Sequence, residues 1–535
     1  MTAPRIEMSG TGTSPDDLLA AFWRYDRALL DNDVDVMNRL FAAGPRTLRG
    51  DGRTLLAGHE AITSFRSGRT VVPTRRVVGV HVRMLAPGTG LVVAQTRDPS
   101  CARTGLQTQV WQRDAAGAWQ IVAAHVSAPS AAPLDEAART WRVAGEPLVA
   151  GAPGGPLQGM RIAVKDLYAV AGFPAGAGVP AWLDEQPPAA ESAPVLHALL
   201  SAGAEVTGIA HTDEFAYSIA GVNAHYGASP NPGVPHAAAG GSSSGPASAV
   251  AAGQADIGLG TDTAGSIRVP ASYLGLVGLR TTHGSLDMSG VHPLAPDFDA
   301  VGWLTRDVAT SRRVGEVLLP GGGSFAPIRT VLAPALLERL PAGVAAEFCS
   351  ALRRLAAEGA LPAVAEISID AASLDSWFAA FRTWQGWQAW QQNGAWIAAH
   401  PGALGPDVAK RFAVAQRIGR REASAAHEVV QRARAQLRRQ FDGAVLALPA
   451  TSGTAPPLSA TTQQVDAVRA ATLRLTFLAP LAGAPAVSLP ALSLPEPWTD
   501  ARSPLGLSLV GPPGSDLGLL ELADPICPET AARPR

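Results

Sequence analysis

Lys165, Ser242 and Ser266 are the residues whose types and settings could carry covalent chemistry. Of 43 basic residues only two, Lys165 and Lys410, are lysines. Arginine replaces lysine readily on a surface, but not where a reaction needs an amine that can lose its proton. Lys165 closes the apolar run Ile162-Ala163-Val164 and precedes Asp166. Burial at such a strand end disfavours the ammonium and leaves a neutral amine, a base. Ser266 lies in Gly260-Thr261-Asp262-Thr263-Ala264-Gly265-Ser266-Ile267-Arg268-Val269-Pro270. The small residues before it let successive N–H groups converge on one point, where a developing oxyanion would be held. Ser242 follows Gly240 and Gly241, where unusual backbone geometry costs little. A serine nucleophile, converging N–H donors and an amine base belong to acyl transfer.

Other patterns compete for the same stretch. Gly241-Ser242-Ser243-Ser244-Gly245 fits the G-x-S-x-G elbow centred on Ser243. Such an elbow follows directly on a buried strand. Here the preceding residues 231–241, NPGVPHAAAGG, hold two prolines and cannot form a central strand. Neither lysine has a serine three residues before it, so no S-x-x-K arrangement exists. The phosphate loop G-x-x-x-x-G-K-[ST] is absent too. The 11 histidines form no H-E-x-x-H cluster. Neither metal nor cofactor is expected.

The elements that must position these residues span more than one domain, because 535 residues predict two or three. An apolar content of 47% suffices for sizeable cores. The net charge is −2 and no basic run points to nucleic acid or an anionic membrane. No apolar stretch reaches the roughly 18 residues of a span. The N-terminus lacks the basic-then-apolar plan of a signal peptide. Cys101, Cys349 and Cys527 fit no zinc spacing or disulfide framework, which points to a cytoplasmic protein.

Residues 1–11 read as a flexible terminus. Residues 14–43 have helical periodicity with Ser14 as a cap. Residues 76–84, 90–96, 105–113 and 118–127 then read as strands, the last two joined by the hairpin signal Asp114 to Gly117. This is the plan of a compact α+β domain. Over residues 12–128 it resembles the NTF2-like, SnoaL-like cone fold, and more closely the AtzH-like family. The resemblance rests on Phe22-Trp23-x-Tyr25-Asp26, Gly58-His59-x-Ala61-Ile62 and the closing run from Trp119 through His125 to Ser127. Residues 129–145 read as a linker with a short helix. From 146 to 535, strand-like pieces (161–164, 443–448) alternate with helical ones (192–202, 344–358, 406–440), which predicts an α/β fold with a mixed sheet.

This second region resembles the amidase signature family of Ser–cis-Ser–Lys hydrolases. The resemblance is carried by Ala163-Val164-Lys165-Asp166, Gly240 to Gly245, and Gly258 to Pro270. It extends through Asp213-Glu-Phe-Ala-Tyr217, Asn231-Pro232, Gly278-Leu-Arg280, Pro293-Leu294 and Leu505 to Gly511. It implies an amidase signature fold with a mixed central sheet flanked by helices, and hydrolysis of a small-molecule amide through an acyl-enzyme. By the same resemblance Ser266 would be the nucleophile. Ser242, after a cis peptide, would relay its proton to Lys165, the base. The N–H groups of Thr263, Ala264, Gly265 and Ser266 would form the oxyanion hole. Ser243 would support the loop and could hold Lys165. Asp262 and Arg268 read as an internal ion pair, Asp166 as locally paired, and Lys410 as a solvated helix lysine. Two positions depart from the family pattern. Ala264 stands where glycine is usual, which matters if that residue needs positive φ. Pro246 stands where Ser or Gly is usual, and suits a helix's first turn.

Substrate choice is expected to involve Tyr217, Gly240 and Gly241, the segment from Tyr217 to Tyr226, and the aromatic run from Trp377 to Trp390. That run reads either as a packed helix face or as a pocket wall. The resemblance leaves three functional readings open. One is a small-molecule amidase, including a carboxybiuret- or allophanate-type hydrolase of urea-derived substrates. Another is the glutaminase subunit of a tRNA-dependent amidotransferase. The last is a non-catalytic binding protein, which would be expected to have lost Lys165, Ser242 or Ser266. The AtzH-like domain is expected to pack on the amidase domain or to mediate a homo-oligomer, without catalysing anything.

Overall fold

The computed structural model describes residues 5–9, 16–51, 55–67, 76–97, 104–126, 136–321, 325–495 and 502–527. Ser14, Cys101 and Ser127 lie outside them. The chain divides into two compact units between Leu134 and Asp135.

The first unit carries a seven-stranded sheet among the described residues. Its order is Arg5–Ser9, Arg76–Ala86, Thr89–Arg97, Thr104–Arg113, Trp119–Val126, Leu48–Asp51, Leu55–Ala57. Arg5–Ser9 corrects the expected flexible terminus: its backbone pairs in parallel with residues 79–83, using an otherwise open sheet edge. The single helix expected over 14–43 is two, Asp16–Leu30 and Val34–Arg39. Asn32 breaks it at φ 54°, which Asn tolerates better than most residues, and the Asp33 carboxylate caps the second helix at Val36 N (2.9 Å). The hairpin at Asp114 forms: its Oδ1 accepts from Ala116 N and Ala118 N, both at 2.9 Å. Phe22, Phe41, Trp111 and Ile121 fill the core of this unit.

The second unit is built on an eleven-stranded mixed sheet among the described residues. Its order is Val364–Glu366, Arg329–Leu332, Ala444–Pro449, Arg502–Val510, Ala486–Pro495, Val277–Arg280, Ala300–Thr305, Ile257–Asp262, Arg161–Lys165, Glu205–Ala210, Trp141–Val149. The last strand corrects the expected linker. Helix Glu136–Thr140 and strand Trp141–Val149 belong to this unit, the strand pairing antiparallel with Glu205–Ala210. Its Gly145-Glu146-Pro147 hid the strand pattern, but proline is tolerated on an edge. The helical stretch 406–440 divides into Pro406–Gln416 and Arg420–Gln440, with Gly419 at the second N-cap.

The central strands are buried along their whole length. One face of them is rich in glycine. By register and alternation, Gly258, Gly260, Gly278 and Gly302 share that face. Helices Ser244–Ala251 and Arg268–Leu274 lie directly on it. A Cβ on Gly278 would stand 2.6 Å from Ala271 Cβ, and one on Gly302 2.6 Å from Ile267 Cγ1. One on Gly260 would stand 2.5 Å from Ser243 Oγ. Gly260→Ala should therefore cost about 1–3 kcal/mol by overpacking, read from urea unfolding, and should lower turnover by displacing the serine loop.

Candidate active site

Strand Arg161–Lys165 ends by delivering Lys165, whose side chain is fully buried. Its Nζ donates to Ser242 Oγ at 2.7 Å and to Thr261 Oγ1 at 2.9 Å. Burial lowers its pKa to about 7, against the opposing pull of Asp213, Asp262 and Asp299. Ser242 is held from both sides. The Gly241–Ser242 peptide is cis, and the Ser242 carbonyl accepts from Thr212 Oγ1 (2.8 Å) and Asp213 N (3.3 Å). Ser243 does not hold Lys165, a correction to its expected role. It sits beneath the loop, where Gly260 leaves room for it, and donates to the Thr261 carbonyl at 3.2 Å.

Ser266 occupies the turn between strand Ile257–Asp262 and helix Arg268–Leu274, and its carbonyl accepts from Ser243 N at 3.2 Å. The two serine loops are thus tied backbone to backbone. Asp262 organises this turn. It accepts from Gly265 N (2.8 Å) and Ile267 N (3.2 Å), and pairs with Arg268 Nη2 (2.9 Å) and Nε (3.0 Å). Arg280 reaches its carboxylate at 3.4 Å and also binds the Asp262 carbonyl. Burial would raise the Asp262 pKa, but Arg268 and Arg280 hold it well below the usual carboxylate range. Asp262 and Arg268 are therefore the internal pair read from the sequence, with Arg280 as an added member.

The N–H of Gly265 is spent on Asp262, which removes it from the expected donor set. No protein acceptor among the described residues takes the N–H of Thr263, Ala264 or Ser266. The Thr263 hydroxyl donates to Asp299 Oδ1 at 2.6 Å, and Asp299 Oδ2 accepts from Leu294 N and Ala295 N. The positive φ in this turn falls on Gly265 (129°), not on Ala264, so the alanine fits without backbone strain. Pro246 lies in the first turn of helix Ser244–Ala251, where its missing N–H costs no helical bond.

Gly240 and Gly241 serve packing. Gly240 has φ 74°, and a Cβ there would meet Tyr273 at 2.8 Å. A Cβ on Gly241 would stand 2.7 Å from the Asp213 carboxylate. Tyr217 is half-buried, with its ring against Phe412. Trp377, Phe378 and Phe381 are buried in the core, the two phenylalanines against Phe477, so the start of the aromatic run is a packed face. Asp166 pairs with Arg142 at 2.9 Å, and Lys410 is exposed on its helix. Thr261, Asp213, Asp299 and Thr476 complete the surroundings; Thr261 and Asp213 lie inside quoted motifs but were given no role, and Asp299 and Thr476 lie outside them. Among the described residues no group of His, Cys, Asp and Glu is arranged to hold a metal ion, and no helix is long and apolar enough to cross a membrane.

Comparison with known proteins identifies the families of both regions. The Amidase family model matches residues 118–319, and the AtzH-like model residues 15–131. Amidase 1 of Arabidopsis thaliana is 34% identical over 400 residues, 69% of this chain and 92% of that protein. The 2-amino-5-chloromuconic acid deaminase of Comamonas testosteroni is 34% identical over 389 residues, 69% of this chain and 81% of that protein. A solved, inhibitor-bound structure is described as a vestigial protein complex that reveals the evolutionary origins of an s-triazine catabolic enzyme. It superposes with a TM-score of 0.62 at 26% identity, covering 70% of this chain and 85% of that one. A buried lysine joined to one serine, a second serine in a turn of free N–H groups, and a relative matched over nearly its full length lead to one conclusion: the chain belongs to the amidase family, hydrolases of C–N amide bonds, and carries an AtzH-like domain ahead of its amidase domain.

Proposed function

We propose that the protein hydrolyses a small-molecule amide through an acyl-enzyme on Ser266. The observation that carries this reading is the hydrogen bond from a fully buried Lys165 to Ser242 Oγ. Neutral Lys165 takes the Ser242 proton while Ser242 takes that of Ser266, and Ser266 Oγ attacks the carbonyl carbon. The N–H groups of Thr263, Ala264 and Ser266 receive the oxyanion. The proton returns through Ser242 to the leaving ammonia or amine as the C–N bond breaks. Water, activated by the same relay, then hydrolyses the ester. This solves without histidine the problem that Ser-His-Asp solves elsewhere. The protein acts in the cytoplasm, and the AtzH-like domain supports the stability of the amidase domain.

The s-triazine connection of the superposed structure favours one narrower reading, a urea-derived substrate such as carboxybiuret. The name of the Comamonas relative points instead to an amino-substituted acid.

Ser266→Ala should abolish acyl-enzyme formation, seen as loss of hydroxylamine-trapped product. Lys165→Ala should lower kcat by at least about 10³-fold, in the range of losing the base of a triad. Full ammonia release by both variants would overturn the mechanism. The pH profile follows from the lysine. Catalysis needs the neutral amine and its pKa is about 7, so kcat/KM should rise with pH through about 7 and then level. Asp213 pulls that pKa upward, so Asp213→Asn should move the limb to lower pH. The same shift has a stability sign. Between about 7 and the ordinary 10.5 the unfolded chain binds the extra proton, so this group's contribution to stability rises with pH across that window. Unfolding free energies of wild type and Lys165→Met across this range should diverge accordingly. Removing residues 1–130 should lower the melting temperature of the amidase domain while leaving Ser266 acylation in place.

A further inference from the structure

We infer that Arg469, Arg411 and Arg382 gather around Tyr217 as an anion subsite, and that the amide substrate carries a carboxylate. The inference rests on the amidase reading of Ser266 and names the substrate class.

Helix Thr462–Thr476 connects this subsite to the serine turn. At its C-terminal end the Thr476 hydroxyl binds the Ala264 carbonyl. One turn back, Thr472 hydrogen-bonds Tyr273 and Ser452. Arg469 follows on the same face at helical spacing. Seven residues of helix place its Cα roughly 10 Å from that of Thr476 along the axis. Beside Arg469 lies a cavity of 240 Å³ lined by Ile219, Ala220, Ala238, Tyr273, Val465 and Arg469. The carbonyl of Ile219 accepts from Gly241 N at 3.0 Å, so the cavity wall is also the support of the serine loop. The wall is apolar except for the arginine, as a channel for a carbon chain would be.

Three helices bring their cations to one tyrosine. Arg411, on Pro406–Gln416, donates to the Tyr217 carbonyl at 3.0 Å. A Cβ on Gly386 would stand 3.5 Å from the Tyr217 hydroxyl. Arg382 lies one turn before Gly386 on Ala371–Ala399. Arg469, Arg382 and Arg411 are the charges that act on Tyr217. Among the described residues none of the three forms an ion pair, and Arg469 Nε is buried without a hydrogen-bond partner. Asp466 acts on Arg469 from its own helix, and Asp213 acts on Arg411, but Asp213 is committed to Gly221 N at 3.0 Å. Converging cations repel one another, and burial with Arg411 and Arg382 nearby depresses the Arg469 pKa to about 9. A carboxylate would relieve that repulsion and satisfy the idle guanidinium edge, which is shaped for bidentate pairing.

The test compares succinamic, glutaramic and adipamic acids with butyramide, valeramide and hexanamide, their neutral counterparts of equal length. Wild type should favour the acid of at least one pair by about tenfold or more in kcat/KM. Arg469→Gln and Arg411→Gln should each reduce that preference by about ten- to a hundredfold, the worth of a hydrogen bond to a charged group. Arg469→Lys should restore part of it. Melting curves identify any variant that fails to fold, and the remaining two then decide. Equal kcat/KM within every pair for wild type, or a preference unchanged in the folded variants, overturns the subsite while trapped acylation of Ser266 leaves the amidase reading standing. Absence of Ser266 acylation with every amide overturns that reading, and the subsite with it.

Discussion

The constraint on which this site depends is the buried charge of Asp262. A carboxylate sealed from water must find cations and N–H donors, or it does not stay ionised. Asp262 finds Arg268, Arg280 and the N–H groups of Gly265 and Ile267. Satisfying it fixes the path of residues 262–268. That path places Ser266 at the mouth of the turn and leaves three neighbouring N–H groups without protein acceptors. Arg280 extends the same constraint to the next elements, since it also binds the carbonyl of Phe298. The turn is thus shaped by the needs of a charge that does not itself react.

Lys165 presents the opposite case. It is equally buried, but the acids whose charges act on it are held by other partners. Asp262 belongs to its arginines, Asp299 to Thr263 and two backbone N–H groups, and Asp213 to Gly221. No carboxylate forms an ion pair with the ammonium among the described residues, and two hydroxyls take its place. Burial then outweighs the more distant attraction, and the amine becomes a base near neutrality. Two buried charges, one fully compensated and one deliberately not, divide the labour of shape and reactivity.

Much of this was legible in the chain. The scarcity of lysine, the small residues before Ser266 and the paired glycines before Ser242 each state a physical need that few residue types can meet. The G-x-S-x-G pattern was also discounted correctly on strand context, and Ser243 proved to be a brace. What stayed hidden has a common cause. Thr261, Asp213 and Asp299 act through positions that the sheet and loops bring together from afar. The loss of Gly265 as a donor depends on where one carboxylate oxygen points. Strand Trp141–Val149 was obscured by Gly145 and Pro147, and Arg5–Ser9 by its isolation from the rest of its sheet. Local pattern shows what a residue can do, whereas its partner depends on the fold.

The glycines of the central sheet have a consequence for how such an enzyme can change. Gly258, Gly260, Gly278 and Gly302 admit no side chain, because each faces a helix or loop in near contact. A larger residue there would press on Ser243, Ile267 or the helices packed against the sheet before it could touch a substrate. The floor of the site is therefore closed to variation. New specificities must be written from the other side, by the helices and loops that carry Tyr217, Arg411 and Arg469. The fold separates a floor that must be inherited whole from a roof that is free to diverge.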